Sequence, residues 1–185
     1  MIGVQELKKG TTFEIDGSIY KVLEYEHIKM ARGGATIKIK ARDLRTGSTI
    51  VRSFNSGHRV QDIRLDHATV QYLYHQDDMY TFMDLETYEQ PMLTADTLGG
   101  AVYYLMPEMT LEVVSYEGKP IDIELPTTVD MEVTYTEPGF AGDTATGATK
   151  EAEFETGLKV QVPLFINVGD TVRIDTRSDS YVTRV

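Results

Sequence analysis

His27-Ile-Lys-Met-Ala-Arg-Gly-Gly-Ala-Thr-Ile-Lys-Ile-Lys-Ala-Arg42 carries Lys29, Arg32, Lys38, Lys40 and Arg42 and not one acidic residue. Its second half alternates. Ile37, Ile39 and Ala41 fall on one face of an extended chain, with Lys38, Lys40 and Arg42 on the other, which is the two-residue period of a strand. Ahead of it, Ala31-Arg32-Gly33-Gly34 interrupts the strand, because adjacent glycines favour a turn with positive φ. The stretch predicts a hairpin with Arg32 at its tip and a row of cations down one side. A hairpin of this kind reaches into something polyanionic. The plainer reading is a solvated turn with strand lysines that guard a sheet edge against aggregation.

The same β pattern extends outward from this hairpin. Thr12 to Ile15 and Ser18 to Glu26 read as strands joined by Asp16-Gly17, a strong hairpin signal. Leu44-Arg45-Thr46-Gly47 is a turn, and Ser48 to Phe54 is a strand closed by Asn55-Ser56-Gly57. Turn residues recur about every 8–12 residues, the spacing of all-β packing. Beyond Arg64, Val70 to Tyr74 and Met79 to Met83 flank the turn His75-Gln-Asp-Asp78. Met92 to Leu98 carries a modest helix signal that stops at Gly99-Gly100. Met109 to Tyr116 and Ile121 to Leu125 are strands again, and this run of strands with one short helix among them predicts an OB-type barrel. Pro126-Thr-Thr128 is a joint, since proline cannot donate to a central ladder. The strand Val129 to Tyr135, a long polar loop from Glu137 to Lys150, and strands at Leu158 to Val162, Thr171 to Asp175 and Tyr181 to Val185 follow. The expectation is three consecutive β-barrels, at 1–63, 64–126 and 127–185.

Composition narrows the function. The 185 residues are 41% hydrophobic and 25% charged, as in soluble globular proteins. The net charge of −11 is unevenly spread: residues 1–63 carry +4 and residues 64–185 carry −15. A chain so acidic approaches RNA or an anionic surface with its basic end leading. With no cysteine there is no disulfide frame, thiolate zinc site or cysteine nucleophile. The first residues lack the apolar run of a signal peptide, and no apolar stretch reaches the roughly 18 residues of a membrane span. The expected location is the cytoplasm.

Chemistry-bearing residues are sparse. His75 with Asp77 and Asp78 offers metal-ligand types, but a polar hairpin turn accounts for them. Asp84 and Glu86 are placed on one strand face as a solvated pair, without the shifted environment a glycosidase pair needs. There is no GxSxG, no Gly-Lys-Ser/Thr phosphate loop and no dinucleotide fingerprint. The expectation is a non-enzyme that needs no cofactor and no metal.

Other stretches carry a resemblance. Lys150-Glu-Ala-Glu-Phe-Glu-Thr-Gly-Leu-Lys-Val-Gln-Val-Pro-Leu-Phe-Ile-Asn-Val-Gly169 resembles the C-terminal signature of bacterial elongation factor P, with Lys150, Ala152, Gly157, Val160, Val162, Pro163, Ile166 and Gly169 at its fixed positions. Tyr72-Leu-Tyr74, Phe82 to Gln90, Gly142-Asp-Thr144 and Ile174-Asp-Thr-Arg177 are similar too, so the resemblance runs end to end. It implies an SH3-like (KOW-type) barrel followed by two OB-fold barrels, set as an L with the outline of a tRNA.

The family's tip loop, Lys-Pro-Gly-Lys-Gly, matches Lys29, Met30, Ala31, Arg32 and Gly33, with Gly34 following. Arg32 thus takes the position that reaches the peptidyl-transferase centre, while Met30 and Ala31 depart from Pro-Gly. An Arg tip excludes the lysine modifications of the family and leaves either rhamnosylation by an arginine-modifying transferase or a bare guanidinium. The resemblance also implies tRNA or small-subunit contact at Asp143, Thr144, Lys150, Tyr181 and Arg184. Leu98-Gly-Gly-Ala101 stands where many members have a Gly-Asp loop toward the E-site codon. Lys38, Lys40 and Arg42 are the candidate RNA contacts.

The implied function is a translation elongation factor that binds the ribosome beside the P-site peptidyl-tRNA and eases peptide-bond formation at consecutive prolines. The implied partners are ribosomal RNA and that tRNA, with no membrane, and a monomeric state. The alternative is a general RNA-binding or transcription-associated β-barrel module.

Overall fold

The computed structural model describes residues 1–29, 33–139 and 147–185. Three antiparallel sheets follow one another along the chain. The first contains β1 (Ile2–Gly3), β2 (Thr12–Ile15), β3 (Ser18–Ile28), β4 (Thr36–Asp43), β5 (Thr49–Asn55) and β6 (Arg59–Asp62), in the order β1-β6-β2-β3-β4-β5. The second contains β7 (Asp66–Gln76), β8 (Met79–Asp84), β9 (Met92–Thr94), β10 (Thr110–Tyr116) and β11 (Lys119–Glu124), in the order β11-β10-β7-β8-β9. The third contains β12 (Thr128–Thr136), β13 (Thr149–Phe154), β14 (Lys159–Pro163), β15 (Thr171–Asp175) and β16 (Ser180–Arg184), in the order β14-β13-β12-β15-β16.

Each sheet curls toward a barrel because its long strand is bent. Register shifts fall between Val22 and Glu24 in β3, Tyr72 and Tyr74 in β7, and Val133 and Tyr135 in β12. An extra residue on one strand turns it and raises the local twist, so one strand serves two faces of a closed sheet. The interiors follow from alternation: Phe13, Val22, Ile37, Ile39 and Ala41 in the first, Val70, Phe82, Leu111 and Val113 in the second, Met131, Val133, Phe154 and Ile174 in the third. Fully burying one such aliphatic or aromatic side chain is worth about 1.5–3 kcal/mol. The Asp16-Gly17 hairpin forms as its sequence dictates, with φ of 52° and 80°, the positive pair of a type I′ turn.

Four expectations need correction. Gly34 is not among the positive-φ residues, and a Cβ there would meet nothing within 4 Å; its freedom is not spent on a left-handed turn. The predicted helix over Met92–Leu98 begins as strand β9. Only Ala95–Leu98 (α1) is α-helical, capped by the Thr94 hydroxyl accepting from the Thr97 N–H at 3.3 Å, and a 3₁₀ turn then carries the chain through Gly99–Tyr104. The polar loop ends before Lys150, because β13 starts at Thr149. Asp84 and Glu86 do not share a strand face: β8 ends at Asp84, whose carboxylate accepts from the backbone N–H of Glu86 (2.8 Å) and Thr87 (2.9 Å). Those donors hold the Asp84 carboxyl below the ordinary aspartate range. The short strands β1 and β6, which pair with each other, were not expected at all.

Candidate nucleic-acid interface

The basic hairpin is built by β3 and β4, whose ladder runs from Tyr20↔Asp43 to Ile28↔Thr36. Ile37, Ile39 and Ala41 point into the first core, so Lys38, Lys40 and Arg42 are forced onto the outer face. Lys29, Gly33 and Gly34 are exposed beyond the last rung. Arg32, Met30 and Ala31 lie outside the described residues.

The row of cations is not bare. Lys38 lies 3.9 Å from Glu26, and Lys40 lies 2.9 Å from Glu24, each across the strand pair. The Lys40 hydrogen bond, and then its charge, hold the Glu24 carboxyl below the ordinary glutamate range. Such exposed pairs are worth little to stability. Arg42 differs from both lysines. Its guanidinium turns away to the second barrel and donates to the carbonyls of Thr97 and Asp96. The sequence pattern grouped it with Lys38 and Lys40, but the structure separates it from them.

Of the expected tRNA-facing residues of the third barrel, the described ones differ in exposure. Asp143 and Thr144 lie outside the described residues. Lys150 is buried, with Nζ donating to the carbonyl of Glu137 at 2.6 Å. It occupies an inward position of β13, between Ala152 and the end of β12. Tyr181 packs on the third core, while Arg184 is half exposed, 5.5 Å over the Phe165 ring and 3.8 Å from Asp170.

Two concave surfaces went unnoticed in the sequence. A cleft of about 880 Å³ opens where the three barrels meet, lined among others by Arg42, Leu98, Tyr104, Asp122 and Arg177. A groove of about 620 Å³ is lined by Tyr72, Tyr74, His75, Tyr80 and Tyr103 of the second barrel and by Glu155 and Thr156 of the third. His75 stacks on Tyr80 at 5.0 Å, and Tyr72 bonds His75 Nδ1 at 3.2 Å, so His75 serves an aromatic stack at the hairpin turn where Asp77 has φ 50°. Aromatic faces in an OB-type groove can stack planar groups, bases included. Tyr72, Tyr74, His75 and Tyr80 come from the β7–β8 hairpin and Tyr103 from the 3₁₀ turn. Among the described residues, His67, Glu112 and Glu124 form the one cluster with metal-ligand spacing, with His67 Nδ1 at 3.4 and 3.9 Å from the two carboxylates on an exposed sheet face. No described helix is long and apolar enough to cross a membrane.

Three family models lie end to end on these sheets. The elongation factor P KOW-like domain matches residues 3–60, the elongation factor P OB domain residues 65–123, and the elongation factor P C-terminal domain residues 129–184. Over 184 residues the chain is 49% identical to elongation factor P of Dictyoglomus thermophilum, and over 185 residues 44% identical to that of Pelotomaculum thermopropionicum; all of both chains is covered in each case. The chain belongs to the elongation factor P family. It is therefore a translation factor with a KOW-like and OB-fold architecture. The solved structure of eukaryotic translation initiation factor 5A from Methanococcus jannaschii shares this fold, with a TM-score of 0.53 at 23% identity over 67% of this chain and 91% of that one.

Proposed function

We propose that this factor binds the ribosome beside the P-site peptidyl-tRNA and speeds peptide-bond formation at consecutive prolines by holding the acceptor end in place. The observation that carries the reading is the joint one of end-to-end family identity and a single cationic hairpin on an otherwise acidic chain. Proline fixes φ and restricts its neighbour, so consecutive prolines present the peptidyl group badly for attack. A guanidinium set against the acceptor backbone would restrict the tRNA to attack-ready geometries, and orientation alone lowers a barrier by several kcal/mol.

In this reading Arg32 is the tip, either bare or rhamnosylated by an arginine-modifying transferase, and Lys29, Met30, Ala31, Gly33 and Gly34 support it. Lys38 and Lys40 exchange Glu26 and Glu24 for ribosomal RNA phosphates. Asp143, Thr144, Tyr181 and Arg184 face the tRNA or small subunit from the third barrel. The functional units are 1–63, 64–126 and 127–185, working as a cytoplasmic monomer set as an L. Intact mass of the natively expressed protein separates the two states of Arg32.

A second reading has its own support. The aromatic groove of the second barrel is the kind of surface on which single-stranded RNA stacks without reference to any peptidyl site. Ribosome co-sedimentation with and without P-site tRNA separates the two. Retention that rises with the tRNA supports the elongation role, and indifference to it supports the general binder.

A further inference from the structure

We infer that Arg42 is a positioning residue: it locks the first barrel to the second so that the hairpin projects in one fixed direction. Four observations converge on one joint. The guanidinium donates to the carbonyls of Thr97 and Asp96, in the last turn of α1. A cation at a helix C-terminus is favourable both as donor and as charge. Arg42 therefore caps a helix that belongs to the other barrel.

Two glycines make room for it, one from each side. A Cβ on Gly47 of the first barrel would sit 2.8 Å from the Asp96 carbonyl oxygen, and a Cβ on Gly99 of the second would sit 3.1 Å from the Arg42 guanidinium. Both have positive φ, 74° and 56°, so glycine there also frees the turn from strain. The backbones thus approach as closely as the chemistry permits.

Beside this cap the joint is apolar. Ile19 and Leu44 of the first barrel bury against Ile121 of the second, with Ile63, Leu65 and Tyr116 around them. At its edge Lys21 pairs with the nearly buried Asp122 at 3.3 Å, with side-chain exposures of 27% and 10%. An apolar patch alone lets two barrels slide or rock. One guanidinium nitrogen shared between two carbonyls, flanked by the directional Lys21–Asp122 pair, favours one orientation. The consequence for function rests on the proposed role at the P site, because a tip that must meet an acceptor end needs a stiff arm behind it.

The absence of cysteine allows clean labelling. Val51→Cys on the first barrel and Met92→Cys on the second, both more than half exposed, carry spin labels for a pulsed electron-resonance distance measurement. The wild-type background should give one narrow distance distribution. Arg42→Ala should broaden or shift it with the far-UV spectrum unchanged, and Arg42→Lys should restore it only in part. Should Arg42→Ala fail to fold, Gly99→Ala, which pushes into the guanidinium, provides the same displacement. The same proteins go into a reconstituted proline-stalling assay at saturating factor, where the Arg42→Ala rate should fall about tenfold to a hundredfold, the scale of a small misplacement. A distribution as narrow in Arg42→Ala as in wild type overturns the lock, and if ribosome affinity alone falls, Arg42 is an RNA contact instead. A broadened distribution with full pause relief overturns the stiff-arm consequence. A wild type that relieves no pause overturns the proposed function, and the distances still decide the lock.

Discussion

Asp175 shows how much charge chemistry one exposed turn can hold. The Arg177 side-chain hydrogen bond, then the Arg177 backbone N–H, bring its carboxyl down to about 2. A depressed folded value means its contribution is complete above the ordinary value of 3.8 and is lost as pH falls through about 2. A carboxyl NMR titration should place the Asp175 midpoint near 2; a midpoint at 3.8 would show that the Arg177 contact does not persist in solution. Tyr104 titrates in the opposite sense. Burial first, and then its bond to Asp179, push the hydroxyl well above the ordinary 10.0. That contribution is complete below 10.0 and fades only as pH rises through the folded value. Since Tyr104 comes from the second barrel and is buried in the third core, the contact between those barrels should be insensitive to pH through the neutral range. Tyr104→Phe keeps the ring and removes the donor, so denaturant unfolding should lose about 1 kcal/mol.

Among the elements, the first hairpin was legible and β13 was not, for related reasons. In β4 the inward residues are Ile37, Ile39 and Ala41, so side-chain chemistry and burial alternate together. In β13 the inward residues are Lys150, Ala152 and Phe154, and a buried lysine breaks the apolar count on which the strand signal depends. Lys150 is tolerated there because its charge is spent on the Glu137 carbonyl at 2.6 Å. The helix boundary failed differently: Met92 and Leu93 extend β9 by pairing with Thr81 and Tyr80, a tertiary choice that local propensity does not record. The Arg42 contact could not be read from spacing, since it joins segments distant in sequence. The inward face of β13 makes a direct prediction. Phe154 is 1% exposed, and Phe154→Ala should cost about 3–5 kcal/mol by urea unfolding. A loss under 1 kcal/mol would mean the third core does not close over this strand.

The whole molecule is three cores in series, joined by directional polar contacts at both joints and carrying +4 on the first third against −15 on the rest. Three barrels set as an L should scatter X-rays as an elongated particle, and a profile fitting a compact sphere of this mass would contradict that arrangement. Contact to phosphate should make the benefit to translation weaken as salt rises, and charge reversal at Lys38 and Lys40 should lower ribosome affinity, measured by co-sedimentation. The central claim is that the hairpin positions a substrate on which the ribosome acts. Quench-flow measurement of peptide-bond formation on a Pro-Pro-Pro message and on a proline-free message, with wild type and Arg32→Ala at saturating concentration, tests it most directly. The proline message alone should accelerate, and Arg32→Ala should lose that acceleration while still binding the ribosome; equal acceleration of both messages, or full activity in Arg32→Ala, would contradict this role.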